Sequence, residues 1–71
     1  MKLPRSLSGR DACRALEKLG FSVARQEGSH VRLVRAERRV TVPLHSSLAP
    51  GTLRNILRQA GIDLQAFVDQ L

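Results

Sequence analysis

Two histidines, His30 and His45, and one cysteine, Cys13, are the residues with the widest chemical range in this chain. His30 stands in the run Gly28-Ser29-His30-Val31-Arg32. An imidazole with an ordinary pKa of about 6.5 can take or give a proton near neutral pH. Gly28 allows backbone angles that other residues resist, so a tight turn can fix where His30 points. Ser29 brings a hydroxyl that can orient a phosphate or the ring. Arg32, two residues on, shares the strand face with His30 at about 7 Å along the chain. It can hold a phosphate beside the imidazole. These parts suit RNA cleavage: RNA carries its own nucleophile, the 2′-OH, and needs only a base, an acid and a cation for the developing phosphorane charge. A solvated histidine on a half-exposed sheet is the plain alternative.

Other chemistries have less to stand on. His45 shares the parity of His30 and is a possible second proton carrier, against a capping role where its strand meets the next loop. Two histidines and a single cysteine make no zinc set and no intramolecular disulfide, so no metal and no cofactor are expected. Cys13 falls at a helical core position and reads as a small buried apolar residue. Ser46 and Ser47 lack a Gly-x-Ser-x-Gly elbow, there is no paired-carboxylate arrangement, and no Gly-rich loop is of Walker or Rossmann type.

The elements that must position His30 are legible in the pattern. Ser8 before Gly9, with Asp11 three residues on, is a weak capping box, and Leu7 with Ala12 can form a staple across it. Ala12, Cys13, Leu16 and Leu19 follow at helical spacing until Gly20, which predicts a helix over about 9–19. Phe21 to Arg25 alternates as a strand, and Glu27-Gly28-Ser29 turns the chain. His30 to Arg35 alternates again, with Val31 and Leu33 on one face and His30 and Arg32 on the other. Ala36 to Arg39 reads as a polar connection. Val40, Val42 and Leu44 then alternate with Thr41, Pro43 and His45, and Pro43 places this strand at an edge or at its end. Pro50 opens a second helix carrying Leu53, Ile56, Leu57 and Ala60, which Gly61 closes. Asp63 caps a short last helix with Leu64, Phe67 and Val68. The reading is an α+β domain of order α-β-β-β-α plus that short helix: a three-stranded antiparallel meander with the helices on its apolar face. His30, Arg32, Thr41 and His45 are then left on the open face.

Composition limits the rest. The 71 residues read as one domain, residues 1–71, with a core of Leu, Val, Ala and Ile, two Phe and no Tyr or Trp. A core of that size leaves a margin on the order of 3–5 kcal/mol. Ten arginines and two lysines against six acids give a net charge of +6 and a pI near 11.4, which points to a polyanionic partner. Arg10, Arg14 and Lys18 make one basic helix stripe and Arg54 with Arg58 another; these are candidate RNA contacts. Pro50-Gly51-Thr52 opens the second helix with free amides that suit a phosphate. Without exposed aromatics to stack on bases, binding should lean on phosphates and weaken with salt. Met1 to Arg5 lead into no apolar segment and no apolar run reaches 18 residues, so a cytoplasmic protein is expected.

Four segments, "LEKLGF", "EGSHVRL", "VTVPLH" and "LAPGTLRNILRQAGI", occur in order over about residues 8–68. Together they resemble the HicA toxins of bacterial toxin–antitoxin modules. The resemblance implies a fold like that of double-stranded-RNA-binding domains and activity as a ribosome-independent mRNA interferase that blocks translation. It implies that His30, in the Gly-Ser-His motif, is the active histidine, and that a HicB antitoxin covers it. Many members follow this histidine with a second; Val31 stands there instead, at a core-facing position. The Val-Pro-x-His motif is kept as Val42-Pro43-Leu44-His45. Two other readings use the same surface: an RNA-binding module without chemistry, and an interaction protein whose basic face meets an acidic partner.

Overall fold

The computed structural model describes residues 7–71; the stretch Met1 to Arg5, read above for a leader, lies outside them. The elements run α1 (Gly9–Lys18), β1 (Ser22–Glu27), β2 (His30–Arg35), β3 (Arg38–Pro43), α2 (Pro50–Ala60) and α3 (Leu64–Val68). The three strands form one antiparallel sheet of order β1-β2-β3. This is the expected α-β-β-β-α order with a short C-terminal helix.

Local chemistry accounts for the element ends. The Asp11 amide donates to Ser8 Oγ at 3.1 Å, and the Ser8 amide donates to Asp11 Oδ2 at 3.3 Å, a reciprocal cap. Asp63 caps α3 by accepting from the Ala66 amide at 2.7 Å. Both hairpins are tighter than the sequence reading had them. The first loop is only Gly28-Ser29, with Glu27 paired to His30; the second is only Ala36-Glu37, with Arg35 paired to Arg38. Glu27, Arg38 and Arg39 therefore belong to strands. Polar residues suit a loop and an exposed strand face equally well, so their type alone does not separate the two. At the other end β3 stops at Pro43, so Leu44 and His45 lie on the loop to α2.

The helices cover one face of the sheet. Val31 and Leu33 of β2 and Val40 and Val42 of β3 are buried against Leu16 of α1, Leu53 and Ile56 of α2 and Phe67 of α3. Cover over β1 is incomplete: all six of its residues are exposed, and Val23 keeps half its surface in water. Its register explains why. Val23 faces Leu33 but Arg25 faces Arg32, so Ala24 is an extra residue in a bulge. The bulge leaves only Val23 and Gln26 on the covered side of β1, too little apolar surface to draw a helix over it. The opposite edge is better protected. The Thr41 amide, which points out of the sheet, donates to Gln59 Oε1 of α2 at 3.1 Å, and Pro43 has no amide to leave open.

Among the described residues no polar or charged side chain is buried, so stability rests on apolar packing. Phe67 is fully buried although α3 has only five residues. Phe67→Ala should cost about 3–5 kcal/mol, comparable to the whole margin expected of a chain this small. Circular dichroism at 25 °C is expected to show a largely unfolded protein. A cooperative melt within a few degrees of wild type would mean α3 is dispensable.

Candidate active site on the open sheet face

Parity and register lay out the uncovered face as three rows across β1, β2 and β3. The first is Glu27, His30 and Pro43; the second is Arg25, Arg32 and Thr41; the third is Ser22, Val34 and Arg39. His30 is thus on the central strand, at the end of the sheet, beside the Gly28-Ser29 turn. Gly28 has φ +56° in the first of two loop positions, as primed hairpin turns require. The Gln26 side-chain amide donates to the Gly28 carbonyl at 3.2 Å. The Leu44 amide donates to the Ser29 carbonyl at 2.6 Å, and the Gly9 amide donates to the His45 carbonyl at 2.9 Å. Through these bonds the turn before His30 is tied to the loop after β3, and that loop to the start of α1.

A shallow hollow of about 260 Å³, lined by Glu27, His30, Arg32 and Thr41, opens beside the imidazole. A second hollow of about 470 Å³ lies next to it, with Arg25, Arg32, Arg39 and Thr41 in its lining. Neither encloses a volume in which a small molecule would be largely buried; a polymer laid across the sheet fits better. Arg25 and Arg32 are directly opposed on neighbouring strands. Like charges so placed cost a few tenths of a kcal/mol up to about 1; the Glu27 carboxylate beside Arg25 offsets part of that, and an anion seated between the arginines would offset more. The open face thus carries a histidine beside a tight turn and two arginines opposed in register.

The chain matches the family model described as HicA toxin of bacterial toxin-antitoxin over residues 9–62. The chain belongs to the HicA toxin family. No curated protein matches it. HicA toxins pair with antitoxins in toxin–antitoxin modules, so this HicA chain is a toxin of such a system. No helix among the described residues is long and apolar enough to cross a membrane.

The structure sorts the residues singled out in this HicA sequence. Gly28, Ser29, His30 and Arg32 are brought together at one end of the open face. His45 is exposed on the loop past β3 and does not line the hollow beside His30; what it holds in place is backbone, through its carbonyl. Arg10, Arg14, Lys18, Arg54 and Arg58 are exposed on the helix layer, away from the open face. Lys18 Nζ donates to the Gln70 carbonyl at 3.1 Å, and Arg58 donates to Asn55 Oδ1. Arg10 and Arg14 border a separate groove of about 270 Å³ that reaches Val23 and Gln26. Cys13 lines the same groove, and its thiol is pushed above its ordinary pKa by burial first and by Glu17 second. It therefore stays protonated and is a poor nucleophile.

Three open-face residues escaped the sequence reading: Arg25, Glu27 and Arg39. A signal for Glu27 was present, because a residue just before a two-residue loop must face the residue just after it. Among the described residues no three His, Cys, Asp or Glu side chains are grouped to hold a metal ion.

Proposed function

We infer that this HicA toxin is an endoribonuclease that cleaves mRNA and so stops translation, with His30 as its catalytic histidine and no metal ion. The observation that carries this reading is the position of His30: exposed, fixed beside a tied-down turn, and one row from the opposed Arg25 and Arg32. The imidazole serves as one proton carrier of the transesterification, and Arg32, with the Gly28-Ser29 turn, supports the phosphate. The whole chain works as one toxin domain in the cytoplasm, and a HicB-like antitoxin silences it by covering the His30 end of the face. The test is digestion of a defined messenger RNA in excess EDTA, resolved on a gel, with wild type beside His30→Ala. Cleavage by wild type alone is the expected result. If neither protein cleaves but both retard the RNA at low salt, the chain is a binding module instead.

Phosphate contacts on the open face also make a prediction about salt. Each phosphate neutralised on single-stranded RNA contributes about −0.7 to the slope of log K against log salt. Arg32→Ala should lower the magnitude of that slope by about this amount and weaken binding to all sequences similarly. Arg54→Ala, on the helix layer, should leave the slope unchanged if the RNA lies on the sheet. The reverse pattern would move the substrate to the helices and restore the sequence-based assignment of Arg54 and Arg58.

A further inference from the structure

Attack of the 2′-OH on phosphorus with loss of the 5′-oxygen uses a base at the attacking oxygen and an acid at the leaving one, and His30 is only one of them. The residue best placed to be the other is on the neighbouring strand. Glu27 pairs directly with His30 across the β1–β2 ladder. As the pair flanking a two-residue loop they are hydrogen-bonded partners, with Cα atoms about 5.5 Å apart. Both line the same hollow, with Arg32 and Thr41. Arg25 Nε stands 3.1 Å from Glu27 Oε1 in an exposed ion pair, which biases the carboxylate toward the open face weakly, as surface pairs do. By register, Glu27 and His30 occupy one row of the open face and Arg25 and Arg32 the next, with the Arg25 guanidinium reaching back to the Glu27 carboxylate.

We propose that Glu27 is the general base of the reaction and His30 its general acid, a reading that rests on the endoribonuclease function inferred above. The assignment follows from what each group can offer. An ionised carboxylate accepts protons and has none to give, whereas an imidazolium donates. Glu27 takes the proton from the 2′-OH, and the 2′-oxygen forms a bond to phosphorus. The bond from phosphorus to the 5′-oxygen breaks, and that oxygen leaves with a proton from His30. The products are a 2′,3′-cyclic phosphate and a 5′-OH end, with one proton gained by Glu27 and one lost by His30. Arg32 and Arg25 face the non-bridging oxygens, where the negative charge grows. The charged groups around the pair are Arg25 on β1 and Arg32 on β2, while β3 presents Thr41 and Pro43 to these rows.

Three measurements on the full chain test the proposal. The substrate is a short RNA with a single cleaved linkage, and binding is checked with its 2′-deoxy analogue at that linkage. Wild type should give a bell-shaped pH profile of kcat/KM, rising as the base loses its proton and falling as the acid loses its own. Glu27→Gln keeps the shape of the side chain at an exposed position. It should bind the deoxy analogue as well as wild type does, lose about 10²–10⁴-fold in rate, and lose the acidic limb of the profile. A substrate with sulfur in place of the 5′-oxygen has a leaving group that needs no acid. That substrate should restore most of the rate to His30→Ala and none to Glu27→Gln.

Rescue of Glu27→Gln instead would overturn the assignment of roles. Full activity with an unchanged pH profile in Glu27→Gln, while His30→Ala is dead, would sink the proposal and leave the endoribonuclease reading standing. Cleavage by His30→Ala at the wild-type rate on the ordinary RNA would remove His30 from the chemistry, and the proposed pair with it, while the chain would remain an endoribonuclease.

Discussion

Gly9→Ala is expected to lower the melting temperature by roughly 12–24 °C, which for a domain of this size corresponds to about 3 kcal/mol. Helix propensity alone predicts the opposite sign, since alanine is favoured over glycine within a helix by up to about 1 kcal/mol. Packing decides. A Cβ on Gly9 would lie 2.1 Å from the Pro43 carbonyl oxygen and 2.8 Å from the Leu44 Cα. Both are backbone atoms, so no side chain can swing aside, and the start of α1 must move off the end of β3. Overpacking of this kind costs about 1–3 kcal/mol or more. The displaced helix also loses the bond from the Gly9 amide to the His45 carbonyl, worth about 0.5–1.5 kcal/mol. The same movement loosens the loop whose Leu44 amide holds the Ser29 carbonyl. Toxicity should therefore fall in a variant whose open face is chemically intact. A thermal melt checks it: an unchanged or higher midpoint would show that α1 does not approach β3 this closely.

His30→Ala should cost about 10²–10⁴-fold in cleavage rate, the usual contribution of a positioned proton carrier. Stability should shift by no more than about 0.5 kcal/mol, because the side chain is exposed. That combination separates His30 from Gly9 and Phe67, whose losses come through the fold. Measured side by side, the His30 variant should melt like wild type and leave the messenger intact. The Gly9 variant should melt early and cleave in proportion to its folded fraction. A His30→Ala protein that folds and still cleaves at a comparable rate would move the chemistry to another residue.

The most legible parts of the molecule were those governed by short-range rules. Ser8 with Asp11 and Asp63 with Ala66 cap helices because the side-chain oxygen of an extended residue reaches the amide three residues on wherever a helix follows directly. Leu33, Val40 and Val42 are buried because a strand with one wet face must alternate. From the same alternation follows the exposure of His30 and Arg32. The reading was less accurate where strand and loop compete for polar residues, as at Arg38 and Arg39. On β1, Phe21, Val23 and Arg25 alternate as if they shared one face, yet the bulge at Ala24 sends Val23 to one side and Arg25 to the other. Nothing in the six residues of β1 marks that extra residue, because a bulge is fixed by the partner strand it must match.

By itself, then, the sequence determined the order of elements, their caps, the side of β2 that faces water, and so the exposure of His30 beside a glycine turn. All of that depends on neighbours within about four residues or on a period of two. Tertiary structure decided which groups stand across from His30. Only strand register sets Glu27 against it, opposes Arg25 to Arg32, and leaves His45 beyond the strand end while the helix arginines lie on the far layer. Register comes from pairing and packing between segments that are distant or turned in space, and a one-residue slip reverses every side chain's face.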